Sequence, residues 1–181
     1  MRSVARVLYE DQAKQVKDFG PHTLVLACVA DDLGQSRWDL KHIVPGIPRK
    51  GDNKLLRSCR EEAGDWCADG SVLVAVFDND RVRPLLGLPQ EACRRIVLNT
   101  ILSGSTAAGS VKIVLLEQNV DDLVRASAAA LAETPPARKS INARDTVLNR
   151  AAAADSAIRQ KIRTGSPSFD RIVRYVADIV R

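Results

Sequence analysis

Acidic residues close three apolar runs of this 181-residue chain. VARVLY (4–9) meets Glu10 and Asp11, VLVAVF (72–77) meets Asp78-Asn79-Asp80, and VKIVLL (111–116) meets Glu117. Carboxylates gathered at strand ends repel one another unless a cation joins them. Hard oxygen ligands suit Mg²⁺ or Mn²⁺, ions that keep part of their water and accept phosphate oxygens. Glu10, Asp78, Asp80 and Glu117 are therefore the candidate metal ligands, and Glu10, Asp78 and Asp80 the candidate catalytic groups. Strand alternation lets Asp78 and Asp80 lean the same way, with Glu10 facing them from a neighbouring strand. Asp-Asn-Asp is equally good turn chemistry where a strand exits. Asp121 and Asp122 suit a helix start capped by Asn119, whereas Asp31 and Asp32, near a helix C-terminus, have no local explanation.

Basic residues follow the same breaks. Arg81 and Arg83 come directly after the acid pair, and the loop IPRKGDNK carries Arg49, Lys50 and Lys54. These five are the candidate grips for nucleic-acid phosphates, with Arg94 and Arg95 behind them.

The elements that must position these groups read as alternating strands and helices. The first run, the 72–77 run and the 111–116 run are strands apolar at nearly every position, as in a parallel sheet covered on both faces. A short further strand is placed around 42–44. Pro21 near a helix start and Gly34 past its end punctuate a buried helix between them. Asp52 or Asn53 caps a helix from 54 to about 63. Pro89 opens another, and NVDDLVRASAAALAE forms one that Pro135 and Pro136 end. The remainder is helical, its last segment starting at Ser166-Pro167 with Phe169, Ile172, Val173, Val176 and Ile179 along one stripe. The expected fold class is α/β: a Rossmann-like, mostly parallel sheet flanked by helices, with a core over 1–126. A helical C-terminal extension over 127–181 packs on that core or on a partner.

Composition sets the bounds. At this length one domain can bury a normal core. No apolar run approaches the ~20 residues of a membrane span, and acids interrupt the N-terminal run too early for a signal peptide. The expected location is the cytoplasm, without membrane contact. Cys28, Cys59, Cys67 and Cys93 stand singly and read as small core residues, and His22 and His42 lie far apart, which argues against a zinc or Ser/His/Asp site. Lys and Arg outnumber Asp and Glu by 27 to 22, an excess that permits a polyanionic partner without requiring one. Aromatic content of 4% argues against a stacking platform for single strands.

A strand ending in Glu10 ("VLYED"), a helix, and a later buried strand ending in Asp78-x-Asp80 ("VLVAVFDND") resemble the Toprim domain of topoisomerases, primases and overcoming-lysogenization-defect nucleases. Small stand-alone bacterial Toprim-like proteins are the nearest in kind, their later strand-to-helix passage being similar to VKIVLLEQNVDDLVRA. The resemblance spans roughly residues 4–126. It implies that Glu10 acts as general acid/base or metal ligand and that Asp78 and Asp80 hold Mg²⁺ or Mn²⁺. The activity it implies is metal-dependent phosphodiester cleavage of DNA or RNA. Toprim's glutamate is commonly followed by glycine, whereas Asp11 and Gln12 follow here, which offers Asp11 as an additional ligand. It further implies an effector subunit of a bacterial antiviral defence system, working beside an ATPase partner, since the chain has no Gly-x-x-x-x-Gly-Lys-Ser/Thr loop. A homo-oligomer is compatible with it. Two other readings stand: a non-catalytic nucleic-acid- or protein-binding subunit, and an aspartate-based phosphotransfer domain with Asp78 as nucleophile. The second resembles haloacid-dehalogenase-type phosphatases, which carry that motif on the first strand.

Overall fold

The computed structural model describes residues 3–11, 19–116, 120–137 and 140–181. The chain is an α/β protein built on four parallel strands: β1 (Ala5–Glu10), β2 (Gly46–Arg49), β3 (Val72–Asp78) and β4 (Val111–Leu116). Their spatial order is β2-β1-β3-β4. From β1 the chain steps to one side for β2, then crosses to the other side for β3 and β4. The order therefore reverses between β1 and β3, and in such sheets a crevice forms beyond the carboxyl ends of those two strands.

Both faces of the sheet are covered, which is why its strands are apolar without alternation. Ala5, Val7 and Tyr9 of β1, with Val74, Val76, Val114 and Leu116, join one apolar layer. That layer is closed by α1 (Gly20–Leu33), α7 (Val120–Ala130), α8 (Ile141–Ala153), α9 (Ser156–Gly165) and α10 (Pro167–Val180). Leu8, Leu73, Ala75, Phe77, Ile113 and Leu115 point the other way. They meet α3 (Asp52–Arg60), α4 (Ala63–Trp66), α5 (Asn79–Leu85) and α6 (Arg94–Leu102). The three C-terminal helices are thus part of the sheet's own core. Leu148, Ile162, Phe169, Val173 and Val176 are fully buried there, and α7 runs without interruption across position 126.

The structure departs from the local expectations in four places. Residues 42 and 43 end a helix, α2 (Arg37–Ile43), and the strand comes later, at Gly46–Arg49. Pro48 is tolerated in it because β2 is an edge strand. Neither Asp52 nor Asn53 caps α3: Gly51 does, at φ 100°, a conformation other residues rarely adopt. The helix expected from Pro89 begins at Arg94. Of the cysteines, Cys28 and Cys59 are buried, but Cys67 is half-buried and Cys93 exposed.

Asp31 and Asp32, unexplained by their own helix, are explained by α9. Arg159 holds both oxygens of Asp31 at 2.6 Å, and Arg163 bridges Asp32 at 2.5 Å and Asp170 at 2.6 Å. His22 is likewise structural. Its Nε2 donates to the Val44 carbonyl at 2.8 Å, which leaves Nδ1 to accept from the Tyr9 hydroxyl at 3.0 Å. The bare backbone of Gly46 makes room for the ring, since a Cβ there would stand 2.1 Å from it. Among the described residues no helix is long and apolar enough to cross a membrane.

The His22 pocket can be probed by sterics and by pH. Gly46→Ala forces the ring out of its two hydrogen bonds and should lower stability by roughly 1–3 kcal/mol, the usual cost of overpacking, read from the urea midpoint. Burial also lowers the His22 pKa to about 4 from its ordinary 6.5. Between those pH values the unfolded chain holds the extra proton, so this contribution is complete above 6.5 and fades as pH falls toward 4. Denaturant titrations should show the wild type losing its advantage over His22→Gln across that window, by at most about 1.4 kcal/mol per pH unit.

Candidate active site at the sheet switch point

β1 and β3 deliver the two central carboxylates, Glu10 and Asp78. They are 8% and 6% exposed, which is unusual for acids. Tyr9 pairs with Val76, so Glu10 lies level with Phe77, one step short of Asp78. Tyr9 and Val76 belong to one apolar layer, Leu8 and Phe77 to the other. By alternation the pleat starts Glu10 and Asp78 toward opposite faces. The sequence leads one to expect Glu10 facing Asp78 across the strands; the register starts them on opposite sides. Asp80 does not continue that alternation either. The strand ends at Asp78 and α5 begins at Asn79, so Asp80 sits exposed in a helix's first turn.

The acids nevertheless share one electrostatic field. Burial pushes the Asp78 carboxyl up to about 8, helped by Glu10, Asp80 and Asp52 and opposed by Arg81. Glu10 is raised by burial first, then by Asp52 and Asp11, against Arg81 and Arg144. Asp52, in the first turn of α3, is raised by burial and by Asp80. Its buried Oδ1 accepts no hydrogen bond among the described residues. By sequence alone this residue reads as a helix cap and no more. The available signal for a second role is its siting straight after the β2 edge strand, at Gly51-Asp52.

Asp11 has a different employment from the extra ligand expected of it. Its carboxylate is buried against Arg144 of α8 at 2.6 Å. Glu117 lies outside the described residues. Among those residues no three carboxylate, imidazole or thiolate groups meet closely enough to cage a cation. What the edge offers is two buried hard-oxygen donors with little positive charge to offset them. That fits Mg²⁺ or Mn²⁺ held through one or two carboxylates and otherwise by water.

The basic residues divide. Arg81 reaches Glu10 at 3.4 Å while remaining largely exposed, a weak and screened contact. Lys50 and Lys54 are exposed at the same edge. Arg49 is committed to Glu62 at 3.0 Å and lies over the Trp66 ring. Arg83 bonds Asn79 Oδ1 at 3.1 Å and the Gln90 carbonyl. Comparison of the chain with protein-family models, curated protein sequences and solved structures found no match.

A buried acid that its neighbours repel weakens the fold. Asp78→Asn should raise stability at pH 8.5 by roughly 1–2 kcal/mol, the usual gain from relieving such a site. The penalty it removes arises as pH climbs from the unfolded value, 3.8, through about 8. Thermal melts should therefore show the gain shrinking toward pH 4. A gain unchanged with pH would mean that ionisation of Asp78 is not its source.

Proposed function

We propose that the chain is a metal-dependent phosphodiesterase of Toprim type acting on nucleic acid, with Glu10 and Asp78 at its centre. The observation that carries the reading is the burial of these two acids at the ends of neighbouring parallel strands, where strand order reverses. A sheet has no structural use for two under-compensated carboxylates there, and burying them costs stability. Such perturbed groups cluster at functional sites.

Asp78 and Glu10 would hold Mg²⁺ or Mn²⁺, whose charge would stabilise the phosphoryl oxygens as negative charge builds on them. The chain's own residues do the rest. Glu10, its proton affinity raised, accepts the proton of the attacking water as the new O–P bond forms. The leaving oxygen takes its proton from solvent water as the old P–O bond breaks, and Glu10 then gives up its own to solvent. Arg81 is loosely held and can pass from Glu10 to a phosphate oxygen. Lys50 and Lys54 bind flanking phosphates, a contribution that weakens with salt. Asp52 and Asp80 deepen the negative field that draws a cation to this edge.

Supercoiled plasmid incubated with the purified protein should be nicked in Mg²⁺ or Mn²⁺ and left intact in EDTA. Asp78→Asn and Glu10→Gln should each slow nicking by roughly 10²-fold or more. Equal rates in wild type and both variants would exclude this site as the source of cleavage. An intact plasmid with every protein would leave the non-catalytic subunit as the better reading.

A further inference from the structure

The largest exposed apolar group in the described residues is an indole far from the carboxylates. Trp38, in α2, is 60% exposed. Leu40 anchors that helix in the core, while Trp38, Lys41 and His42 share another face at helical spacing. The Arg37 guanidinium lies 4.9 Å from the centre of the indole ring and the Lys41 ammonium 5.8 Å from it. A tryptophan left mostly in water with cations on its ring gains little for the fold.

We propose that this face of α2 binds a single-stranded nucleic acid, with an unpaired base stacked on Trp38 and Arg37 and Lys41 set against the adjoining phosphates. Every base has a flat π-face, so indole stacking combined with cations needs no sequence. Arg37 suits the role further because a guanidinium stacks on rings and also pairs with phosphate. A protein partner fits less well. Its anchors sit in well-packed pockets kept dry by their surroundings, whereas Trp38 stands open among the exposed polar residues Gln35, Ser36 and Asp39. A membrane surface fits less well too, because a helix of seven residues that buries its leucine keeps no apolar face for lipid.

The inference rests on the nucleic-acid reading above but concerns another end of the molecule. Val4, at the start of β1, bonds the Ile43 carbonyl at the end of α2, so Trp38 belongs to the edge opposite Glu10. The six residues of β1 separate those edges by about 20 Å. From α2 the chain runs along the sheet margin as β2 and emerges at Lys50. A strand laid along that margin would touch Trp38 at one end and the basic loop at the other.

The test is a titration with a thymidylate 20-mer in EDTA, following tryptophan emission; no cleavage occurs there, so binding is read without catalysis. Wild type should be quenched. Trp38→Ala should lose the quench and bind about tenfold more weakly, with an unchanged salt slope. Arg37→Gln with Lys41→Gln should bind more weakly with a shallower slope. Trp38 is exposed, so an unaltered melting curve will show that the variant is folded. Equal affinity in wild type and Trp38→Ala would overturn the stacking site while leaving the carboxylate site standing. Binding to anionic vesicles but not to the oligonucleotide would overturn it as well. Quenching retained in a protein that nicks no plasmid would uphold the stacking site and sink only the cleavage reading.

Discussion

A sheet covered by helices on both faces leaves ionisable groups room only near the ends of its strands, because a charge in mid-strand would be stranded in hydrocarbon. The two ends of this sheet use that room differently. At the N-terminal end Arg6 meets Asp69 at 2.8 Å, and also reaches the Trp66 carbonyl and Ser71. These contacts, Arg6 foremost, hold the Asp69 carboxyl well below its usual range. There the half-buried Arg6 has its opposite charge in Asp69. At the C-terminal end Glu10, Asp52 and Asp78 all rise above their usual ranges, with exposed Arg81 as the near cation common to them. One edge is built for stability, and the other gives some of it up.

The C-terminal helices also reach that second edge, through Arg144. They complete one apolar layer, and burial of Phe169, Ile172, Val173 and Val176 carries the energy of their attachment. The ion pairs add direction more than strength. Arg159 and Arg163 fix α9 against the end of α1 through Asp31 and Asp32, and Asp170 ties α10 into the same set. At the opposite end of α1, Arg144 of α8 locks Asp11 beside Glu10. The guanidinium also opposes the rise in the Glu10 pKa. A segment without candidate catalytic residues of its own thus shapes the field around one.

The strands are legible because burial on both faces demands continuous apolar runs, and three such runs stand out. β2 falls a few residues later than expected because an edge strand of four residues containing Pro48 carries little signal. α2 is easily missed, although Ser36 and Asp39 mark its start and the Ser36 side chain accepts from the Trp38 backbone N–H. Burial of Glu10 and Asp78 at neighbouring strand ends can be anticipated from the runs that precede them. Their one-residue offset cannot, since pairing register depends on how crossovers seat each strand. The partners of Asp31 and Asp32 lie more than a hundred positions away. Asp52 stands in plain view, but an aspartate at a helix start explains itself so readily that its siting after an edge strand is passed over.

That one-residue offset also bears on the chemistry. Had Glu10 and Asp78 faced each other in register, they would have formed a close pair able to strip an ion of much of its water. Starting from opposite sides, they would each supply a single carboxylate to an ion rather than act as a preformed pair. Mg²⁺ dehydrates reluctantly and works through few protein ligands, so the looser arrangement suits it better than a cage. On the proposed reading a substrate phosphate would complete the site as much as occupy it, with the exposed cations Arg81, Lys50 and Lys54 near the same strand ends to meet it.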